Sequence, residues 1–94
     1  MSIFNIKNAP AGVQSWFVTV YPPKGAPIMP TATMALAANA QLDIATGVYS
    51  RILVIVYSSA PGAPEAFLDA KEVNGQTLDG SSSYTFNWMA GKFS

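Results

Sequence analysis

Two residue types that carry much of protein chemistry are missing from this chain: it has no cysteine and no histidine. Without cysteine there is no disulfide, no thiolate nucleophile and no thiolate metal ligand. Without histidine the commonest general base is gone, and with it the Ser-His and Cys-His nucleophile systems. Zinc, copper and haem sites lose their usual ligands for the same reason, so no metal or cofactor is expected. No glycine-rich phosphate loop occurs either.

Charge is also scarce. Five cations (Lys7, Lys24, Arg51, Lys71, Lys92) balance five anions (Asp43, Glu65, Asp69, Glu72, Asp79), and the formal net charge is zero. No two cations are adjacent, so the clustered Lys/Arg footprint of a nucleic-acid binder or of a polybasic membrane anchor is absent. The longest strongly apolar run, Ile52–Tyr57, is far shorter than the roughly 20 residues that span a bilayer. Met1-Ser2-Ile3-Phe4-Asn5-Ile6-Lys7 lacks a basic start followed by an apolar stretch, so no secretory signal is visible. A cytoplasmic protein, or one exported by a non-classical route, is expected.

Against these absences stands a hydrophobic content of 50% in 94 residues, enough for one core in a single domain spanning 1–94. Ser15–Tyr21 and Tyr49–Tyr57 are dominated by β-branched and aromatic residues, which fit a pleated strand and lose rotamer freedom in a helix. Tyr84–Met89 alternates, placing Tyr84, Phe86 and Trp88 on one face. Proline- and glycine-bearing stretches at 22–27 and 58–64 interrupt both ladder and helix. Two segments read both ways. Met34–Leu42 is alanine-rich, and Pro64–Asn74 opens on proline and stops at Gly75 like a short helix.

An internal repeat of about 35 residues decides for strands in both. Ala11-Gly12-Val13-Gln14-Ser15 matches Thr46-Gly47-Val48-Tyr49-Ser50, and Asn39-Ala40-Gln41 matches Asn74-Gly75-Gln76, each at an offset of 35. The copies run over 11–45 and 46–80, with a partial third at 81–94. Asn74-Gly75 is a favoured dipeptide for a two-residue type I′ turn. Three hairpins are therefore expected: Ile3–Lys7 with Val13–Tyr21, Thr31–Ala38 with Tyr49–Tyr57, and Ala66–Val73 with Tyr84–Met89. The predicted fold is all-β, a small sandwich or barrel of about six to eight antiparallel strands built from repeated hairpins.

Function narrows mostly by exclusion. Asp69 with Glu72, or Asp43 with Asp79, would be the carboxylate pairs for a glycosidase-like site, but an acidic residue closing a strand is the commoner use. The chain reads as non-enzymatic. The strong strands have little polar face: Ile52, Val54 and Val56 lie opposite Leu53, Ile55 and Tyr57. One such face is expected to be covered by another subunit, and a net charge of zero favours association. The leading expectation is a structural or interaction module that self-associates into a homo-oligomer. The alternative is a lectin-like carbohydrate-binding module, its aromatic side chains stacking on sugar rings. Candidate ligand or interface residues are Trp16, Tyr21, Tyr49, Arg51, Tyr57, Tyr84 and Trp88, and a carbohydrate or a partner protein is the expected ligand.

Overall fold

A computed structural model describes residues 1–94. It contains eight strands and no helix: β1 (Ser2–Lys7), β2 (Ser15–Tyr21), β3 (Met34–Ala35), β4 (Ala40–Leu42), β5 (Gly47–Tyr57), β6 (Phe67–Leu78), β7 (Ser83–Asn87) and β8 (Lys92–Phe93). The strands form two four-stranded sheets. Sheet A has the order β4-β1-β7-β8 and sheet B the order β3-β2-β5-β6. Neither sheet closes into a barrel. Both ambiguous segments are extended, as the strand reading required. Met34–Leu42 holds β3 and β4 around a turn, and most of Pro64–Asn74 lies within β6.

Strand pairing departs from the hairpins expected. β1 and β2 lie in different sheets, as do β6 and β7. β1 instead pairs antiparallel with β4 and parallel with β7, Ile3 lying opposite Ser83 and Lys7 opposite Asn87. The all-antiparallel expectation therefore fails at the centre of sheet A. β2 pairs with β3 and β5, and β5 with β6. The Gly-Ala-Pro stretch at 62–64 lies inside the loop of the β5–β6 hairpin. That loop is closed by Ser58 N–H donating to Ala66 O (2.9 Å) and Ala66 N–H donating to Ser59 Oγ (3.0 Å).

Asn74-Gly75 makes no turn because a type I′ turn needs positive φ at both central residues. Gly75 has φ +65°, but the sole non-glycine residue with positive φ is Asn8. β6 therefore runs straight through. What Gly75 does instead is local. Tyr49 and Leu78 are buried on one side of Ser50 and Gly75, and Ile52 with half-buried Val73 on the other. The parity of the inward-facing residues thus changes on both strands at the same level of the ladder.

The sheets share one core. Sheet B contributes Trp16, Val18 and Val20 from β2 and Ile52, Val54 and Val56 from β5. Sheet A contributes Phe4, Ala40, Leu42 and Phe86, and Trp88 follows directly after β7. Trp16, Val18 and Val20 of β2 and Ile52, Val54 and Val56 of β5 point inward at the period of a pleated strand, while Ser15 and Thr19 of β2 are buried on its other side. Phe86 meets Trp88 edge-on at 5.9 Å between ring centroids and lies 5.0 Å from Phe93, while Phe4 stacks on Tyr84 at 5.6 Å. The two fully enclosed serine hydroxyls are satisfied: Ser2 Oγ donates to Asp79 O (2.7 Å) and Ser15 Oγ to Ser59 O (2.8 Å). A buried polar group left unpaired would cost about 1–3 kcal/mol; none is left so.

Candidate functional site

The seven aromatic and cationic candidates separate into three groups once placed. Trp16, Tyr49 and Trp88 belong to the core, with relative exposures of 1%, 4% and 5%. Their polar tips are used internally. The Trp16 indole N–H donates to Ala35 O (3.2 Å) and the Tyr49 hydroxyl to Ala45 O (2.5 Å). The Lys71 ammonium sits 5.0 Å from the centroid of the Trp88 ring and donates to Trp88 O (2.7 Å). None of these three offers a ring face to a ligand or a neighbour, because inward parity on β2, β5 and β7 carries each into the space between the sheets.

Tyr57 and Tyr84 have structural surroundings. Tyr57 is nearly enclosed at the end of β5, where Val56 and Tyr57 flank a bulge against β6. Burial pushes its hydroxyl pKa up, and the negative charge of Glu65 beside it adds to the rise. Tyr84 accepts a hydrogen bond from Asp79 N–H (2.6 Å) while its ring stacks on Phe4. Asp79 is the hub of a turn. Its Oδ1 accepts from Ser81 N–H (3.0 Å) and Ser81 Oγ (2.9 Å), and Gly80 N–H donates to Thr46 Oγ1 (2.9 Å). The bonds from the backbone N–H and the hydroxyl of Ser81 hold the Asp79 carboxyl below its ordinary value. This carboxylate ties residues 79–81 to Thr46, which is the work of an Asx turn.

Tyr21 and Arg51 come together on the outer face of sheet B. They are directly paired in the β2–β5 ladder, and the guanidinium lies 4.2 Å from the Tyr21 ring centroid. Glu72, one strand further, approaches Arg51 Nε at 3.6 Å. Both charges of this ion pair are well exposed, so its contribution is small, about 0–1 kcal/mol. The rest of this face mixes apolar side chains with Thr19. Cross-strand register sets Phe17 beside Ile55 and Ala70, and Thr19 beside Leu53 and Glu72. Phe17, Leu53 and Ile55 are half-buried on this face, and Thr19, between Phe17 and Tyr21, is buried. Phe67 and Leu68, at the start of β6, are exposed at 64% and 44%.

Comparison with protein-family models, curated proteins and solved structures finds no match for this chain.

Other chemistry is sparse. Asp69 and Glu72 are three residues apart on one strand, so they project from opposite faces and cannot converge on a glycosidic bond. No pocket indents the surface, and no three acidic side chains gather to hold a metal ion. No helix is long and apolar enough to cross a membrane.

Of the sequence candidates, only Tyr21 and Arg51 thus lie together on an open surface. The residues that make that surface, Phe17, Leu53 and Ile55, were not singled out as candidates. The signal for them was present in the second face of β5, Leu53 and Ile55, once a single core had claimed Ile52, Val54 and Val56.

Proposed function

We propose that this chain is a small β-sandwich that acts as a non-enzymatic structural or interaction module and self-associates through sheet B. One observation carries the reading: on the outer face of sheet B, Phe17, Leu53 and Ile55 lie close together and only half-buried. A contiguous apolar patch on a protein with little charge marks a contact surface. Zero net charge leaves no long-range repulsion to oppose association. The lectin-like alternative gains no comparable support, since both tryptophans are enclosed and their faces are taken by core neighbours.

Solution mass measured by light scattering over a wide concentration range tests the proposal. The wild-type chain is expected to sediment and scatter as an oligomer. Ile55→Lys, which places a charge on the outer face without touching the core, is expected to lower the mass by removing association through that face. A wild-type chain that stays monomeric at the highest concentration ends the proposal.

A further inference from the structure

Three of the four sheet edges end in strands of two or three residues: β3, β4 and β8. The fourth edge is β6, twelve residues long, of which Leu78 alone is fully buried. An unpaired strand of this length presents a row of free N–H and C=O groups, which natural proteins rarely leave uncovered. The Ala70 N–H is met by the carboxylate of Asp69, at 2.8 Å. A side-chain acceptor on that N–H marks Ala70 as a residue whose backbone groups face away from β5. By the alternation of an antiparallel strand, Glu72 faces the same way.

We infer that β6 pairs antiparallel with β6 of a second copy about a two-fold axis at Ala70, joining two B sheets into one of eight strands. The inference rests on the self-association reading above but places a contact at the edge of sheet B, which leaves its outer face free for a further one. A two-fold normal to a sheet brings residues of equal parity face to face, so the axis must pass through a residue. With the axis at Ala70, Asp69 lies opposite Lys71 of the second copy, and Lys71 opposite its Asp69. Regular pairing ends there, because β6 bulges at Leu68. Axes at Lys71 or Glu72 instead set like charges directly against each other, which destabilises a sheet. Charge complementarity thus selects one register and one occupant, a second copy of this chain.

The neighbouring rows agree. Phe17, Ile55 and Ala70 form one row across sheet B. Under the axis at Ala70 that row continues without a break through Ala70, Ile55 and Phe17 of the second copy. Asp69 has two roles in this arrangement. In the single chain it occupies an edge donor. In the pair, the Ala70 N–H turns to the carbonyl of the second copy's Ala70, and the freed carboxylate reaches the ammonium of the facing Lys71. That ammonium has one donor committed to Trp88 O and two left over.

Ala70→Pro tests the pairing directly. It removes an N–H that β5 does not use, a position where an edge strand tolerates proline, and its ring obstructs the incoming strand. The expected result in sedimentation velocity is loss of the dimer with the circular dichroism spectrum unchanged. Charge variants supply an independent arm. D69K sets lysine against lysine and K71D sets aspartate against aspartate, so each alone is expected to be monomeric. An equimolar mixture of the two is expected to form a heterodimer. Should Ala70→Pro and D69K dimerise as the wild type does, this edge and register are wrong while self-association stands. A monomeric wild type removes both.

Discussion

Leucine occurs at both ends of β6, and the two positions give a direct test of how that strand sits. Leu78 is fully buried against sheet A, whereas Leu68 is 44% exposed at the free edge. Truncating each to alanine deletes the same atoms from the same strand. At Leu78 the loss comprises the transfer free energy of a fully buried side chain and the cavity left behind, about 2–5 kcal/mol. At Leu68 little packing is removed, and the expected loss is about 0.5 kcal/mol. A chain of this length has a total stability of about 5–14 kcal/mol, at roughly 0.05–0.15 kcal/mol per residue, so Leu78→Ala removes a large share of it. With about 4–8 °C of melting temperature per kcal/mol at this size, a loss of about 3 kcal/mol lowers the midpoint by about 12–24 °C. Leu68→Ala moves it by a few degrees at most. Thermal unfolding followed by circular dichroism at low concentration, where edge contacts between copies are dissociated, separates the two. Equal losses, or a greater loss at Leu68, would refute the register that carries Leu78 inward and leaves Leu68 at the rim.

Two glycines differ in what they require. Gly75→Ala is expected to cost about 1–2 kcal/mol, because φ of +65° disfavours any Cβ, although the space around it is open. Gly80 has no positive φ, but a Cβ there would run into the carbonyl oxygen of Ile44. Gly80→Ala is therefore expected to cost about 1–3 kcal/mol through overpacking and to break the Gly80–Thr46 hydrogen bond. Urea denaturation of both variants, with an exchange measurement on the Gly80 amide, checks the distinction. For Asp79, a carboxyl held below its ordinary value contributes stability that is present above its unfolded-state pKa and is lost as pH falls through the lowered folded value. Asp79→Asn should therefore flatten the acid limb of a stability-against-pH curve, and acid limbs that superimpose would contradict the assignment.

Local β character was legible because it rests on side-chain type. Ser15–Tyr21 and Tyr49–Tyr57 are strands for the reason their valines, isoleucines and aromatics imply, and Tyr84–Met89 is one as far as Asn87, with Trp88 and Met89 in the turn that follows. The face shared by Tyr84, Phe86 and Trp88 does point at the core. Pairing was not legible, since a partner strand is chosen by packing between residues far apart in the chain. Asn74-Gly75 shows the difference: the dipeptide permits a hairpin turn, yet the ladder to β5 continues through it because Asn74 keeps a negative φ. The surface was half legible. Leu53 and Ile55 follow from alternation alone, but residue type alone could not say that Trp16 faces inward while Phe17 faces out.

The parallel alignment of β1 with β7 sets residues 3–7 beside residues 83–87, a separation of about eighty positions. Closing so large a loop is entropically expensive and slow. Sheet B has a neighbour-to-neighbour hairpin, β5 with β6, from which to begin. Sheet A has its own neighbouring pair, β7 with β8, but at the far end of the chain, so β1 must wait on a ribosome for one of the last strands made. Until that strand arrives, Phe4 has no Phe86 or Tyr84 to pack beside. The apolar side of sheet B lies open to any chaperone, protease or sister chain that meets it during that interval.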